Sequence, residues 1–126
     1  MVYLDTSVAM ARITGAAVAP PDDLWVEDLI SSRLLEYETW SRLDFKGLTE
    51  THGSLAKRLL GLVSLLELIE PVVGRARRLG VLRTLDALHL ASMLWLVDQG
   101  AEVRLASYDR RMNDAAQRLG IARYPL

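Results

Sequence analysis

The sequence predicts an α/β fold with a central parallel sheet of four to five short strands and helices on both faces. Three observations predict it. Short β-type runs alternate with helix-length segments, the pattern left by strands joined through crossover helices. Hydrophobic residues make up 51% of the 126 positions, enough to cover both faces of a small sheet. Breaks fall between the segments, at Gly15, Pro20-Pro21, Lys46-Gly47, Gly80 and Gly100.

Taken in order, Val2-Tyr3-Leu4 is a β-type run ending at Asp5, and Thr6-Ser7 cap a helix through Ile13. Asp22-Asp23 open a short helix beyond the proline pair. Leu29-Ile30 form a brief strand, and Ser31-Ser32 cap a helix to about Leu43. Thr49 or Thr51 begins the next helix, which carries Leu55, Leu59 and Leu62. A buried strand is expected over Leu65–Ile69, followed by a helix with Pro71 in its first turn. The longest helix runs from Thr84 to Gln99 and closes at Gly100. Val103–Ser107 is a strand, Asp109–Leu119 a helix, and Ile121–Tyr124 a last short strand. Residues 1–126 are expected to form one domain.

Composition narrows the chemistry. There is no cysteine, which removes disulfides, zinc–thiolate sites and cysteine nucleophiles together. The two histidines, His52 and His89, are far apart in sequence, so a bound metal would be held mainly by oxygen, as suits Mg²⁺ or Mn²⁺. The net charge of −1 neither supports nor excludes a nucleic-acid partner, although Arg75, Arg77, Arg78 and Arg83 gather in one stretch. No apolar run approaches the ~20 residues that span a bilayer. The opening residues do not read as a signal peptide. A cytoplasmic protein without membrane attachment is expected.

Three acids stand where this architecture places functional groups. Asp5 follows the first strand and Asp109 the strand ending at Ser107, and ligands of parallel sheets bind beyond the carboxyl ends of strands. Asp86 lies in the first turn of the longest helix. Taken singly, Asp5 and Asp109 are also explained as helix caps, and Asp86 as a charge favoured by the helix dipole. A fourth acid is chosen between Glu36 and Glu38, which face ~200° apart on a helix. Glu38 has Arg42 four residues on, the order of a surface ion pair. Glu36 shares a face with Trp40 and Leu43, so Glu36 is the expected site residue. Asp114, flanked by Arg110 and Arg118, reads as a solvent-facing ion pair. His89, one turn beyond Asp86, reads as a packed and satisfied core histidine.

Tyr3-Leu4-Asp5-Thr6-Ser7 resembles the opening motif of PIN domains, and Leu85-Asp86-Ala87-Leu88-His89-Leu90-Ala91 is similar to their central helix motif. Ala106-Ser107-Tyr108-Asp109, followed by Ala115-Ala116-Gln117-Arg118-Leu119-Gly120-Ile121, resembles their closing strand and helix. Ser31-Ser32 to Glu36 matches the remaining acidic segment. Together the motifs cover nearly the whole chain, with Gly15 to Asp28 matching least well. The small size resembles VapC-type toxins of toxin–antitoxin pairs. The resemblance implies a PIN-like fold and an endoribonuclease dependent on Mg²⁺, with Mn²⁺ as a substitute. It implies a homodimer acting on RNA and inhibited by a VapB-type antitoxin. Its metal-binding and catalytic quartet would be Asp5, Glu36, Asp86 and Asp109, with Thr6 and Ser107 supporting through their hydroxyls. Arg83 and Arg78 are the candidate contacts to RNA phosphates.

Other aspartate-first folds fit less well. A haloacid-dehalogenase phosphatase needs an acid two residues after the first, where Ser7 stands. A receiver domain needs a late lysine, and the last is Lys57. A phosphate-binding loop needs a glycine-rich turn after the first strand. The remaining alternative is a catalytically silent PIN-like module that binds RNA or protein.

Overall fold

The computed structural model describes residues 1–80 and 83–126. Its sheet has five parallel strands: β1 (Val2–Leu4), β2 (Leu29–Ser32), β3 (Ser64–Leu66), β4 (Arg104–Ala106) and β5 (Ala122–Arg123). Their spatial order is β3-β2-β1-β4-β5. The chain therefore starts in the centre, runs outward through β2 and β3, then returns to build β4 and β5 on the other side of β1. Tyr3 is in register with Ile30 on one side and Leu105 on the other. The direction reverses between β1 and β4, and a crevice opens there beyond the strand ends.

Six helices connect the strands: α1 (Thr6–Thr14), α2 (Leu34–Phe45), α3 (Thr49–Leu60), α4 (Glu70–Arg78), α5 (Thr84–Asp98) and α6 (Arg110–Arg118). A short 3₁₀ turn, Asp22–Val26, precedes β2. Alternation along β1 sends its side chains to opposite faces. Val2 and Leu4 join Val8, Leu35, Leu43 and Leu59 beneath α1, α2 and α3. Tyr3 joins Leu90, Met93, Leu105 and Met112 beneath α5 and α6. Each fully buried side chain of this size contributes roughly 1.5–3 kcal/mol. The layer α4 packs on α5 through Val72, Ala76, Ala87 and Ala91.

Most expected elements form with shifts of one or two residues at their ends. β3 is the exception. It pairs over Ser64–Leu66 rather than Leu65–Ile69, and its residues are exposed or half-buried. It is an edge strand fixed by the register Ile30–Ser64 and Ser32–Leu66, so pairing stops where β2 stops. Gly47 and Gly100 sit at φ +68° and +90°, the left-handed conformation that lets α2 and α5 end sharply. Among the described residues no helix is long and apolar enough to cross a membrane.

Candidate active site

Asp5 follows β1 and caps α1. Its Oδ2 accepts from the Ser7 backbone N–H at 3.3 Å, the Ser7 hydroxyl at 2.5 Å and the Ser107 hydroxyl at 2.8 Å. The Ser107 oxygen in turn accepts from the Asp109 N–H at 2.9 Å. Asp109 caps α6 through Oδ1, which accepts from the N–H groups of Arg111 and Met112. The cap role and the site role therefore coincide at both aspartates. Each cap contributes about 1 kcal/mol and leaves its carboxylate aimed by a helix terminus. The hydroxyl of Ser107 ties the two together across β1 and β4.

Asp86 stands in the first turn of α5, half-buried. Burial raises its pKa above the ordinary carboxylate value, and the charges of Asp109 and Asp5 raise it further against the opposing pull of Arg83. Asp5, Asp86 and Asp109 line one cavity of about 320 Å³ with Ser7, Glu38, Arg42, Arg83 and His89.

The fourth acid in that cavity is Glu38. The structure does not bring Glu36 there: Glu36 is half-exposed, pairs with Arg33 at 3.1 Å and lines a separate hollow with Tyr37 and Trp40. The expected choice fails because α2 buries Leu34, Leu35, Thr39 and Leu43, and Glu38 lies inside that stripe. Leu43 marks only the stripe's edge, and Trp40 is half-buried. The anticipated Glu38–Arg42 ion pair does form, at 3.4 Å, but at the cavity wall. Ser107 sits where expected. Thr6 is buried with its hydroxyl unpartnered, away from the cavity, and the neighbouring Ser7 supplies the hydroxyl instead. Arg83 lines the cavity; Arg78, exposed near the end of α4, does not. Ser7, Glu38 and His89 are the cavity residues that sequence reasoning passed over. For Glu38 the Leu34-Leu35…Thr39 stripe was the available signal.

The chain is 42% identical over 130 aligned residues to Ribonuclease VapC46 of Mycobacterium tuberculosis (strain ATCC 25618 / H37Rv), an alignment covering 96% of this chain and 94% of the relative. This chain belongs to the VapC-type PIN-domain ribonucleases. As a VapC-type protein it is a hydrolase of RNA, an endoribonuclease toxin of the toxin–antitoxin class, and the silent-module alternative is not favoured. No family model matches the chain, and no solved structure matches it.

VapC ribonucleases are metal-dependent, and the donor set of this cavity has the right chemistry. Four carboxylates supply only hard oxygen ligands, and burial together with the neighbouring charges of Asp109 and Asp5 disfavours the charged form of Asp86 when no cation is present. Among the described residues no three acidic or histidine side chains stand close enough to enclose an ion unaided.

Proposed function

We propose that Asp5, Glu38, Asp86 and Asp109 hold Mg²⁺, with Mn²⁺ as a substitute, and that RNA phosphodiesters are hydrolysed at this cavity. The observation that carries this reading is the convergence of four acids, from β1, α2, α5 and β4–α6, on one cavity at the sheet's carboxyl edge. When bound, the ion polarises a phosphoryl oxygen and lowers the pKa of an attacking water. Asp5 and Asp109 hold their positions through the caps, and Asp86 contributes a half-buried carboxylate from the start of α5. Glu38 orients the attacking water from the opposite wall. In the net reaction the water oxygen bonds to phosphorus, one phosphorus–oxygen ester bond breaks, and the departing ribose oxygen takes up the proton.

Arg83 extends the site toward the RNA. It lines both the acidic cavity and an adjoining one of about 430 Å³, where Arg111 and Arg118 join it beside Asp86. Three guanidiniums next to the carboxylates suit the phosphates that flank a scissile bond.

A VapB-type antitoxin and a second copy of the chain complete the reading, in a cytoplasmic setting. Supporting the antitoxin is an apolar hollow lined by Trp25, Leu55, Leu59 and Leu62, with Arg12 and Arg58 at its border. Supporting the homodimer are the exposed Val73 and Leu85 beside the hollow between α4 and α5.

The test is cleavage of single-stranded RNA by purified protein, with Mg²⁺ or with EDTA. Asp5→Asn and Asp86→Asn are the controls. Cleavage should require the cation and fall by more than about a hundredfold in each variant, beyond the range for residues that only support ligands. Equal cleavage by all samples, or cleavage indifferent to EDTA, overturns the assignment.

A further inference from the structure

We propose that His89 is a positioning residue that fixes Glu38 for cation binding, through a hydrogen-bonded line running from the sheet to the acidic cavity. The proposal rests on the reading of that cavity as a cation site.

The line starts on the backbone of β2. The N–H of Ser32 donates to the Tyr3 hydroxyl oxygen at 3.1 Å, and that oxygen lies 2.7 Å from His89 Nδ1. His89 Nε2 lies 2.6 Å from Glu38 Oε1. All three side chains are buried: Tyr3 is 0%, His89 2% and Glu38 7% exposed. The rings of Tyr3 and His89 meet edge to face, with centroids 5.8 Å apart and planes at 85°.

The direction of the protons follows from this geometry. The Glu38 carboxylate only accepts, so the proton that faces it is on Nε2, and the Tyr3 oxygen, which accepts from Ser32, has its own proton free to donate to Nδ1. Burial deepens the preference, because it raises the pKa of the Tyr3 hydroxyl and keeps it a donor. Glu38 thus receives an N–H donor from a buried ring, which fixes its rotamer.

A fixed rotamer matters more for Glu38 than for its partners. Asp5 and Asp109 are anchored as helix caps, whereas Glu38 projects from the middle of α2 on a longer side chain. A weak contact to Arg42 at 3.4 Å is its other described bond. The line through His89 references Glu38 to β1, the strand that leads into Asp5, and to α5, the helix that carries Asp86. Partners of this kind typically change metal affinity or activity 10–100-fold when removed.

The experiment is Mn²⁺ binding by isothermal titration calorimetry, on the full chain, beside melting in EDTA and steady-state kinetics. His89→Leu should weaken Mn²⁺ binding about 10–100-fold. At low Mn²⁺ its kcat should fall while KM for RNA stays close to the wild-type value, and added Mn²⁺ should recover the rate. His89→Gln, whose amide N–H can occupy the Nε2 position, should restore most of the affinity. A His89→Leu protein that binds Mn²⁺ like the wild type overturns the proposal, and so does a His89→Gln protein no better than His89→Leu. If His89→Leu does not fold, Tyr3→Phe carries the test, since it frees the ring to turn; unchanged Mn²⁺ affinity in a folded Tyr3→Phe protein overturns the proposal. Wild-type protein that binds no Mn²⁺ defeats the cation-site reading itself, a result none of the variant comparisons can produce.

Discussion

The two walls of the acidic cavity are built on different principles. On the β1–β4 wall, Asp5 and Asp109 are helix caps, joined through Ser107 by bonds of 2.8 and 2.9 Å. On the α2–α5 wall, Glu38 is held by the buried His89 of a distant segment, and the side chain of Asp86 makes no hydrogen bond among the described residues while its pKa is raised. The first wall is fixed by local chain geometry before any ion arrives. The second is fixed by tertiary packing, and it carries the carboxyl whose charged form burial and the neighbouring acids disfavour until an ion arrives. Preorganisation and charge strain are thus divided between the walls.

The sharpest way to break this comparison is to exchange the two candidate glutamates of α2. Glu38→Gln keeps an acceptor for His89 but removes the charge, and should lower metal-dependent cleavage by more than about a hundredfold, beyond the effect of a supporting group. Glu36→Gln removes only an exposed ion pair with Arg33, which contributes at most about 1 kcal/mol. Its kcat/KM should stay within about twofold of the wild type. Reversed outcomes would place the functional carboxylate on the other face of the helix.

That pair also shows where the sequence was readable. Asp5, Asp86 and Asp109 were legible because each sits at a strand end or a helix start, and such junctions are marked by local residues such as Thr6, Thr84 and Ser107. Glu38 was not. An i,i+4 arginine carries the same sequence pattern whether the pair faces solvent or a cavity wall, and only the packing of Leu34, Leu35 and Thr39 against the core decides between them. The buried links Tyr3–His89 and His89–Glu38 span 86 and 51 residues and have no local signal. β3 slipped for a related reason. The apolar run around it suggests burial, yet an edge strand is bounded by its neighbour's length rather than by its own composition.

A smaller effect should follow from cutting the tie within the preorganised wall. Ser107→Ala removes a donor to Asp5 and the acceptor for the Asp109 N–H. Chemical denaturation should show a loss of about 1–3 kcal/mol, the cost of leaving buried polar groups unmatched. Activity should fall about tenfold, at the mild end of the range for supporting partners, because both aspartates keep their caps. A loss of activity equal to that of Glu38→Gln would show that the β1–β4 wall depends on one hydroxyl rather than on its helix termini.

The smallest effect belongs to Asp86 without metal, and its sign is diagnostic. Because the folded state raises this carboxyl's pKa, the native protein holds the proton more tightly than the unfolded chain does. Below the ordinary value of 3.8 the group is protonated in both states and imposes no penalty. As pH rises through the raised folded value, the native state must accept a charge that burial, Asp109 and Asp5 oppose, and stability is lost until the group is fully ionised. Calorimetry in EDTA should therefore show Asp86→Asn gaining on the wild type as pH climbs from 3.8 toward neutrality, by at most about a few degrees in Tm. Mg²⁺ should reverse the order at neutral pH, raising the wild-type Tm and leaving Asp86→Asn nearly unmoved. A variant that melts below the wild type in EDTA at neutral pH would mean that Asp86 stabilises the empty fold, as a charge at the start of α5 would if the helix dipole outweighed its acidic neighbours.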